Sequence, residues 1–205
     1  IDGVIYDCDG VIVQSKAAII SYYTWLSEKC GINPPDLSDG ELTRKLLSYT
    51  ENDIIDILTG GDYALKEKMI NVIKTEKYDG GFEDILLDDT VTDGLKLLKD
   101  MGVYTAVDTN RGASLPDLLD YFRIKDYFGF WVTSRDVKEP KPAPEGIYKI
   151  CDYFNVSPEN ALFIGDSPAD YYAAKSSGAV FISYKKPLFD APVISNHREI
   201  TKFFA

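Results

Sequence analysis

Asp7 and Asp9 stand one residue apart behind an apolar run, in Ile1-Asp2-Gly3-Val4-Ile5-Tyr6-Asp7-Cys8-Asp9-Gly10-Val11. Two carboxylates this close repel each other unless a cation or a shared proton compensates them. The pair suits a magnesium-assisted site with one carboxylate as nucleophile and the other as acid/base. The alternative is a solvated pair at a strand end. Val4, Ile5 and Tyr6 read as a buried strand, where β-branched and aromatic residues pack well. Extending the two-residue period of that strand predicts that Asp7 and Asp9 point the same way at its carboxyl end. Gly10 then lets the chain turn away.

Three further groups carry residues of the same kind. The run Val103-Tyr104-Thr105-Ala106-Val107 leads into Asp108-Thr109-Asn110-Arg111-Gly112, where a hydroxyl followed by free backbone N–H groups suits a phosphoryl oxygen. A plain turn rich in turn-formers is the alternative. Lys141 lies in Lys138-Glu139-Pro140-Lys141-Pro142-Ala143-Pro144, whose three prolines stiffen the segment that holds its ammonium. An exposed loop lysine is the competing reading. Finally, Ala161-Leu162-Phe163-Ile164 ends in Gly165-Asp166-Ser167-Pro168-Ala169-Asp170. Asp166 at a strand tip and Asp170 one helical turn later offer hard oxygen ligands of the kind magnesium takes, unless Asp166 only caps the next helix.

The elements that must position these groups fall into two textures. Residues 14 to 87 read as four helices without a convincing strand. They are expected over about 16–29, 41–47 (opened by Ser38-Asp39-Gly40-Glu41), 51–59 (opened by Thr50-Glu51-Asn52-Asp53) and 64–77. After residue 87 the pattern alternates. Helices are expected over 91–100, 115–122, 144–154, 169–177 and at the C-terminus, with strands over 103–107, 129–132, 161–164, 180–182 and 193–194. Such alternation predicts an α/β fold, a parallel sheet covered on both faces, with its ligand crevice at the carboxyl ends of the strands.

Composition narrows the partners. The net charge of −11 argues against a nucleic-acid backbone or an anionic membrane surface, although a metal and a few local cations can still dominate a pocket for an anionic small molecule. No apolar stretch approaches the ~20 residues that span a bilayer, and no secretory leader is read at the start, so a cytoplasmic location is expected. Cys8, Cys30 and Cys151 form no zinc or CxxC pattern, and Cys8 is expected to be a small core residue. His197 is the single histidine, which leaves histidine triads and multi-histidine metal sites without material.

Taken in order, Asp7-x-Asp9-Gly10-Val11, Thr109-Asn110, Lys141-Pro142-x-Pro144 and Gly165-Asp166-x-x-x-Asp170 resemble the four motifs of the haloacid dehalogenase superfamily of phosphohydrolases, and the likeness runs along the whole chain. The helical stretch looks like the small cap of its phosphoglycolate phosphatase and β-phosphoglucomutase branch. The resemblance implies a Rossmann-like, doubly wound core formed by residues 1–13 and 88–205, with an inserted helical cap over 14–87. It implies that Asp7 attacks phosphorus to give an aspartyl-phosphate, and that Asp9 protonates the leaving oxygen and then activates water. Mg2+ would lie between Asp7, the Asp9 backbone carbonyl, Asp166 and a phosphoryl oxygen, with Asp170 as a support or a water-mediated contact. Thr109 and the Asn110 N–H would hold phosphoryl oxygens, and Lys141 would offset the charge of Asp7 and the phosphate.

The expected activity is therefore magnesium-dependent hydrolysis of a small phosphomonoester, phosphoglycolate or a sugar phosphate. The cap is expected to set specificity, with Arg44 a candidate for a second anionic group of the substrate, against a solvated helix face. Tyr22, Tyr23 and Trp25 either line the entrance or pack. A phosphomutase is the nearest alternative, weakened because Ile19 stands near the place where that branch carries a cap histidine. Asp9 favours phosphate over halide chemistry. Val13-Gln14-Ser15 departs from the threonine or aspartate that many capped relatives carry after the first motif, and Arg111 is expected to brace its loop rather than touch phosphate. A receiver-like phosphoacceptor signalling domain is the alternative from another class, disfavoured by the long helical insertion and the DxD spacing.

Overall fold

The structure, a computed structural model, describes residues 1–204 other than 77 and 79. In chain order the elements are β1 (Gly3–Tyr6), β2 (Val13–Gln14), α1 (Lys16–Cys30), α2 (Gly40–Ser48), α3 (Glu51–Thr59), α4 (Tyr63–Thr75), β3 (Leu86–Leu87) and α5 (Val91–Asp100). There follow β4 (Tyr104–Asp108), α6 (Leu115–Tyr121), β5 (Phe130–Val132), α7 (Glu145–Phe154), β6 (Ala161–Gly165), α8 (Pro168–Ser177), β7 (Val180–Tyr184) and β8 (Val193–Ile194), with a 3-10 helix at His197–Phe203. Contacts divide the chain into two compact units, Ile1–Gln14 with Leu87–Ala205, and Ser15–Leu86.

The first unit is the α/β fold expected. Six parallel strands lie in the order β5-β4-β1-β6-β7-β8. The chain builds outward from β1 through β4 to β5, then returns to lay down β6, β7 and β8 on the other side of β1. The strand order reverses beside β1, and such a reversal opens a crevice at the carboxyl edge. β1 and β6 are buried along their whole length, as parallel strands covered on both faces must be. On one face Ile5, Ala106 and Phe163 pack against Ile147, Ile150 and Cys151 of α7 and Ala173 and Ala174 of α8.

Register sets the site. Tyr6 lies opposite Val107 of β4 and Ile164 of β6. One step further along, Asp7, Asp108 and Gly165 therefore emerge level with one another at the crevice. The Asp7 N–H still donates to the Ile164 carbonyl at 2.9 Å, which anchors the first residue past β1.

The second unit is helical. Its core is made of Tyr23, Leu26 and Cys30 from α1, Leu46 from α2, Ile54 and Ile55 from α3, and Met69 and Val72 from α4. Tyr22, Tyr23, Trp25 and Tyr78 form a chain of ring contacts in the same unit. The Thr50 hydroxyl accepts from the Asp53 N–H while the Asp53 carboxylate accepts from the Thr50 N–H, a capping box that starts α3 where the sequence places it.

Several local expectations differ. The first strand stops at Tyr6, and the Cys8 carbonyl then accepts from the N–H groups of Val11, Ile12 and Val13 at 3.4, 2.9 and 3.0 Å, so Asp7 to Gly10 lie in a tight loop. Helix α2 is capped by Asp39 rather than Ser38, because the Ser38 hydroxyl donates to Asp36 at 2.7 Å. Pro144 is the residue before α7 and not its first turn. Two-residue β3 falls within the region read as free of strands, and the C-terminal segment winds as a 3-10 helix instead of an α-helix. The expected end of α4 at Lys77 lies outside the described residues, and the helix there closes at Thr75.

Candidate active site

Lys141 is the hub. Its ammonium donates to Asp7 Oδ1 at 2.8 Å, to Asp170 Oδ1 at 2.7 Å and to the Asp108 carbonyl at 2.8 Å. The lysine side chain is only 3% exposed, which sets aside the solvated-loop reading. It reaches this depth because the Asn110 amide donates to the Lys141 carbonyl at 2.9 Å, tying the proline-stiffened loop to the loop after β4.

Asp166 arrives on the turn between β6 and α8, and Asp170 in the first turn of α8. Ser167, rather than Asp166, caps the helix: its hydroxyl accepts from the Asp170 N–H, while Asp170 Oδ2 accepts from the N–H groups of Asp166 and Ser167. One carboxyl group thus caps a helix through one oxygen and holds Lys141 through the other. The turn demands glycine at both approaches. A Cβ on Gly165 would sit 2.4 Å from the Asp170 Cβ, and one on Gly10, whose φ is +91°, would sit 2.5 Å from Asp166 Oδ2.

Asp7, Asp166 and Asp170 bring carboxylate oxygens within 4.8 Å of one another. Burial, and then the Asp170 charge, push the Asp7 carboxyl well above the usual carboxylate range, and Lys141 pulls it back only in part. Burial and Asp170 also raise Asp166, although Lys186 donates to Asp166 Oδ2 at 3.0 Å. Burial works against the Lys141 ammonium, but Asp170, Asp7 and Asp108 outweigh it and hold it protonated. The cluster thus carries more negative charge than its lysines balance. Its donors are hard oxygens, the set a divalent cation such as Mg2+ takes.

Asp9 pairs with a different cation. Its carboxylate meets the Arg111 guanidinium in a two-point contact, Nε to Oδ2 at 3.0 Å and Nη2 to Oδ1 at 2.5 Å. Neither aspartate lies within β1, which ends at Tyr6. The Thr109 N–H donates to the Val132 carbonyl at 3.0 Å, and the Thr109 hydroxyl accepts from the Arg111 N–H at 3.1 Å, so of the N–H groups that follow this hydroxyl the Arg111 one is already engaged. Arg44 belongs to the other compact unit, exposed on α2, where neighbouring Lys45 pairs with Glu41 at 2.7 Å. Cys8 is a buried free cysteine. His197 is buried against Tyr184, its Nε2 is 3.1 Å from the Val11 carbonyl, and burial lowers its pKa to about 4.

Two residues were missed as contributors. Asp108 supplies the carbonyl that receives Lys141, and its own buried carboxyl is pushed up to about 6 by desolvation. Lys186 follows β7, so the rule that weights polar residues after strands could have found it. For Arg111 the sequence offered a charge next to Thr109 but no partner.

Comparison with known proteins identifies the family. Residues 4–184 match the model of the haloacid dehalogenase-like hydrolase family. The chain is 24% identical to the pyrophosphatase PpaX of Bacillus cereus, covering 87% of this chain and 80% of that protein. It is 25% identical to the phosphoglycolate phosphatase of Aquifex aeolicus, covering 85% and 80%. The crystal structure of a subfamily IA hydrolase of this superfamily from Geobacter sulfurreducens aligns over 100% of this chain and 97% of its own, with 30% identity and a TM-score of 0.78. The chain belongs to the haloacid dehalogenase-like hydrolase family, as an enzyme of its phosphatase kind.

Proposed function

We propose that the protein hydrolyses a small phosphomonoester, of the phosphoglycolate or sugar-phosphate type, in a magnesium-dependent reaction through an aspartyl-phosphate. The observation that carries this reading is the meeting of Asp7, Asp166 and Asp170 around Lys141 at the carboxyl edge of the sheet. Asp7 Oδ attacks phosphorus as the bond to the ester oxygen breaks, and Asp9, which must enter this step protonated, gives that oxygen its proton and becomes a carboxylate. Asp9 then takes a proton from water as the water oxygen attacks phosphorus and releases Asp7. Lys141 favours the ionised form of Asp7 and offsets the charge of the phosphoryl group, while Thr109 and the Asn110 N–H hold phosphoryl oxygens. Asp7, Asp166 and the Asp9 backbone carbonyl would hold Mg2+, with Asp170 supporting from behind. When bound, the ion lowers the repulsion between a carboxylate nucleophile and a phosphate dianion.

A phosphomutase would rebind its phosphorylated product, and Ile19 gives this chain no cap histidine for that purpose. Membership of the hydrolase family sets aside the receiver-like signalling domain. Among the described residues no helix is long and apolar enough to cross a membrane. The three free, buried cysteines suit a reducing compartment, and we place the reaction in the cytoplasm.

The test is phosphate release from a panel of metabolite phosphates, inorganic pyrophosphate included, with and without Mg2+. Asp7→Asn, isosteric but a poor nucleophile, should abolish turnover while the circular dichroism spectrum stays that of the wild type. A variant retaining more than about a tenth of the wild-type rate, free of carry-over, would rule out the covalent route.

A further inference from the structure

Arg111 makes more contacts than a loop brace needs. Its guanidinium side chain is 12% exposed and lies along the Asp9 carboxylate, itself 14% exposed, with one nitrogen for each oxygen. A third nitrogen, Nη1, donates to the Ser114 hydroxyl at 3.3 Å, and the backbone N–H donates to Thr109 Oγ1 at 3.1 Å. The arginine is therefore fixed at its base by the residue proposed to hold phosphoryl oxygens, and at its tip by the start of α6. Burial opposes the charge of the guanidinium, and the adjacent Asp9 carboxylate more than restores it.

This geometry matters because Asp9 has no rigid element of its own. It lies past the end of β1, in a loop whose backbone turns on the Cys8 carbonyl. A carboxylate there rotates about two side-chain bonds unless something holds it. A planar fork holds a carboxylate in one plane, which an ammonium cannot do.

We infer that Arg111 is the positioning residue of the acid/base, fixing the plane of the Asp9 carboxylate through the two-point contact. The inference rests on the proposed function, which gives Asp9 its proton-transfer role. Arg111 touches neither reacting atom in this account; it acts through Asp9.

The discriminating quantity is the dependence on leaving group. An alkyl ester needs a proton delivered to its oxygen as the bond breaks, whereas an aryl ester such as p-nitrophenyl phosphate leaves as a stable anion. The ratio of kcat/KM, alkyl over aryl, should fall at least tenfold in Arg111→Met and also in Arg111→Lys, which keeps the charge and loses the fork. In the wild type, 15N NMR should show a slowly exchanging Arg111 Nε–H that is lost in Asp9→Asn. An unchanged ratio in both variants, with both esters falling together or neither falling, overturns the inference, as does a rapidly exchanging Nε–H in the wild type. Wild-type protein that releases phosphate from no ester overturns the proposed function instead, and the NMR signal then decides the contact independently.

Discussion

Replacing Lys141 by Met should destabilise the metal-free protein by about 4 kcal/mol at pH 7.5, and by much less in mild acid. Met keeps the length of the side chain but removes the donor to Asp7, Asp170 and the Asp108 carbonyl. The side chains of Asp7 and Asp170 are 10% and 1% exposed, so water cannot take over the lost bonds. Breaking a buried ion pair from one side costs roughly 3–5 kcal/mol. The molecule has one escape, which is to protonate a carboxyl group. From the ordinary value of 3.8, at ~1.4 kcal/mol per pH unit, protonation costs about 5 kcal/mol at pH 7.5 and about 2 kcal/mol at pH 5.5. A carboxyl raised in the folded state makes that state lose stability as pH rises above the unfolded value, so the deficit should grow from about 2 to about 4 kcal/mol over this interval. Urea unfolding in EDTA, followed by tryptophan fluorescence at both pH values, measures it. Mg2+ should reduce the deficit, because the ion returns positive charge to the same carboxylates. A deficit under about 1 kcal/mol at pH 7.5, or one equal at the two pH values, would refute the view of Lys141 as the counter-charge of the cluster.

Two further outcomes follow from the same geometry. Asp166→Ala should weaken Mg2+ binding on the order of tenfold or more by calorimetric titration while the urea midpoint of the apoprotein moves little; unchanged affinity would remove Asp166 from the ligands. Asp108→Asn should stabilise the metal-free protein above pH 6, because the buried Asp108 carboxyl titrates near 6 when folded and 3.8 when unfolded, a cost of about 3 kcal/mol once ionised. That gain should vanish below about pH 3, where both states are protonated, and a gain independent of pH would point to packing instead.

Much of this was legible because the informative patterns are local. Val4 to Tyr6 and Ala161 to Ile164 are apolar runs too short for helices, and both form central strands. Helix α5 starts at Val91 and ends at Asp100 as its apolar spacing and Gly102 suggest. The types of the charged residues at the strand ends were also visible. Their pairings were not, because Lys141 meets Asp7 across 134 residues and Arg111 meets Asp9 across 102. Only strand register decides such meetings, and register is absent from any local window. The end of β1 at Tyr6 has the same origin: periodicity says how a strand continues, but a neighbouring carbonyl, that of Cys8, decides where it stops. Asp39 displaced Ser38 as a cap because both residue types serve there, and the hydroxyl found Asp36 first.

The level emergence of Asp7, Asp108 and Gly165 from three adjoining strands also has a meaning in time. During synthesis Asp7 leaves the ribosome early, whereas Lys141 and the β6–α8 turn come much later. At about 5–20 residues per second, the first carboxylate waits on the order of ten seconds or more for its partners. Throughout that wait it is neither repelled by Asp170 nor held by Lys141. The long-range pairing that closes β1 between β4 and β6 brings the loop-closure entropy, the crowding of like charge and the hydrolytic machinery into being together. A nascent or half-folded chain is therefore inert towards the phosphate esters around it, and reactivity begins with the completed sheet.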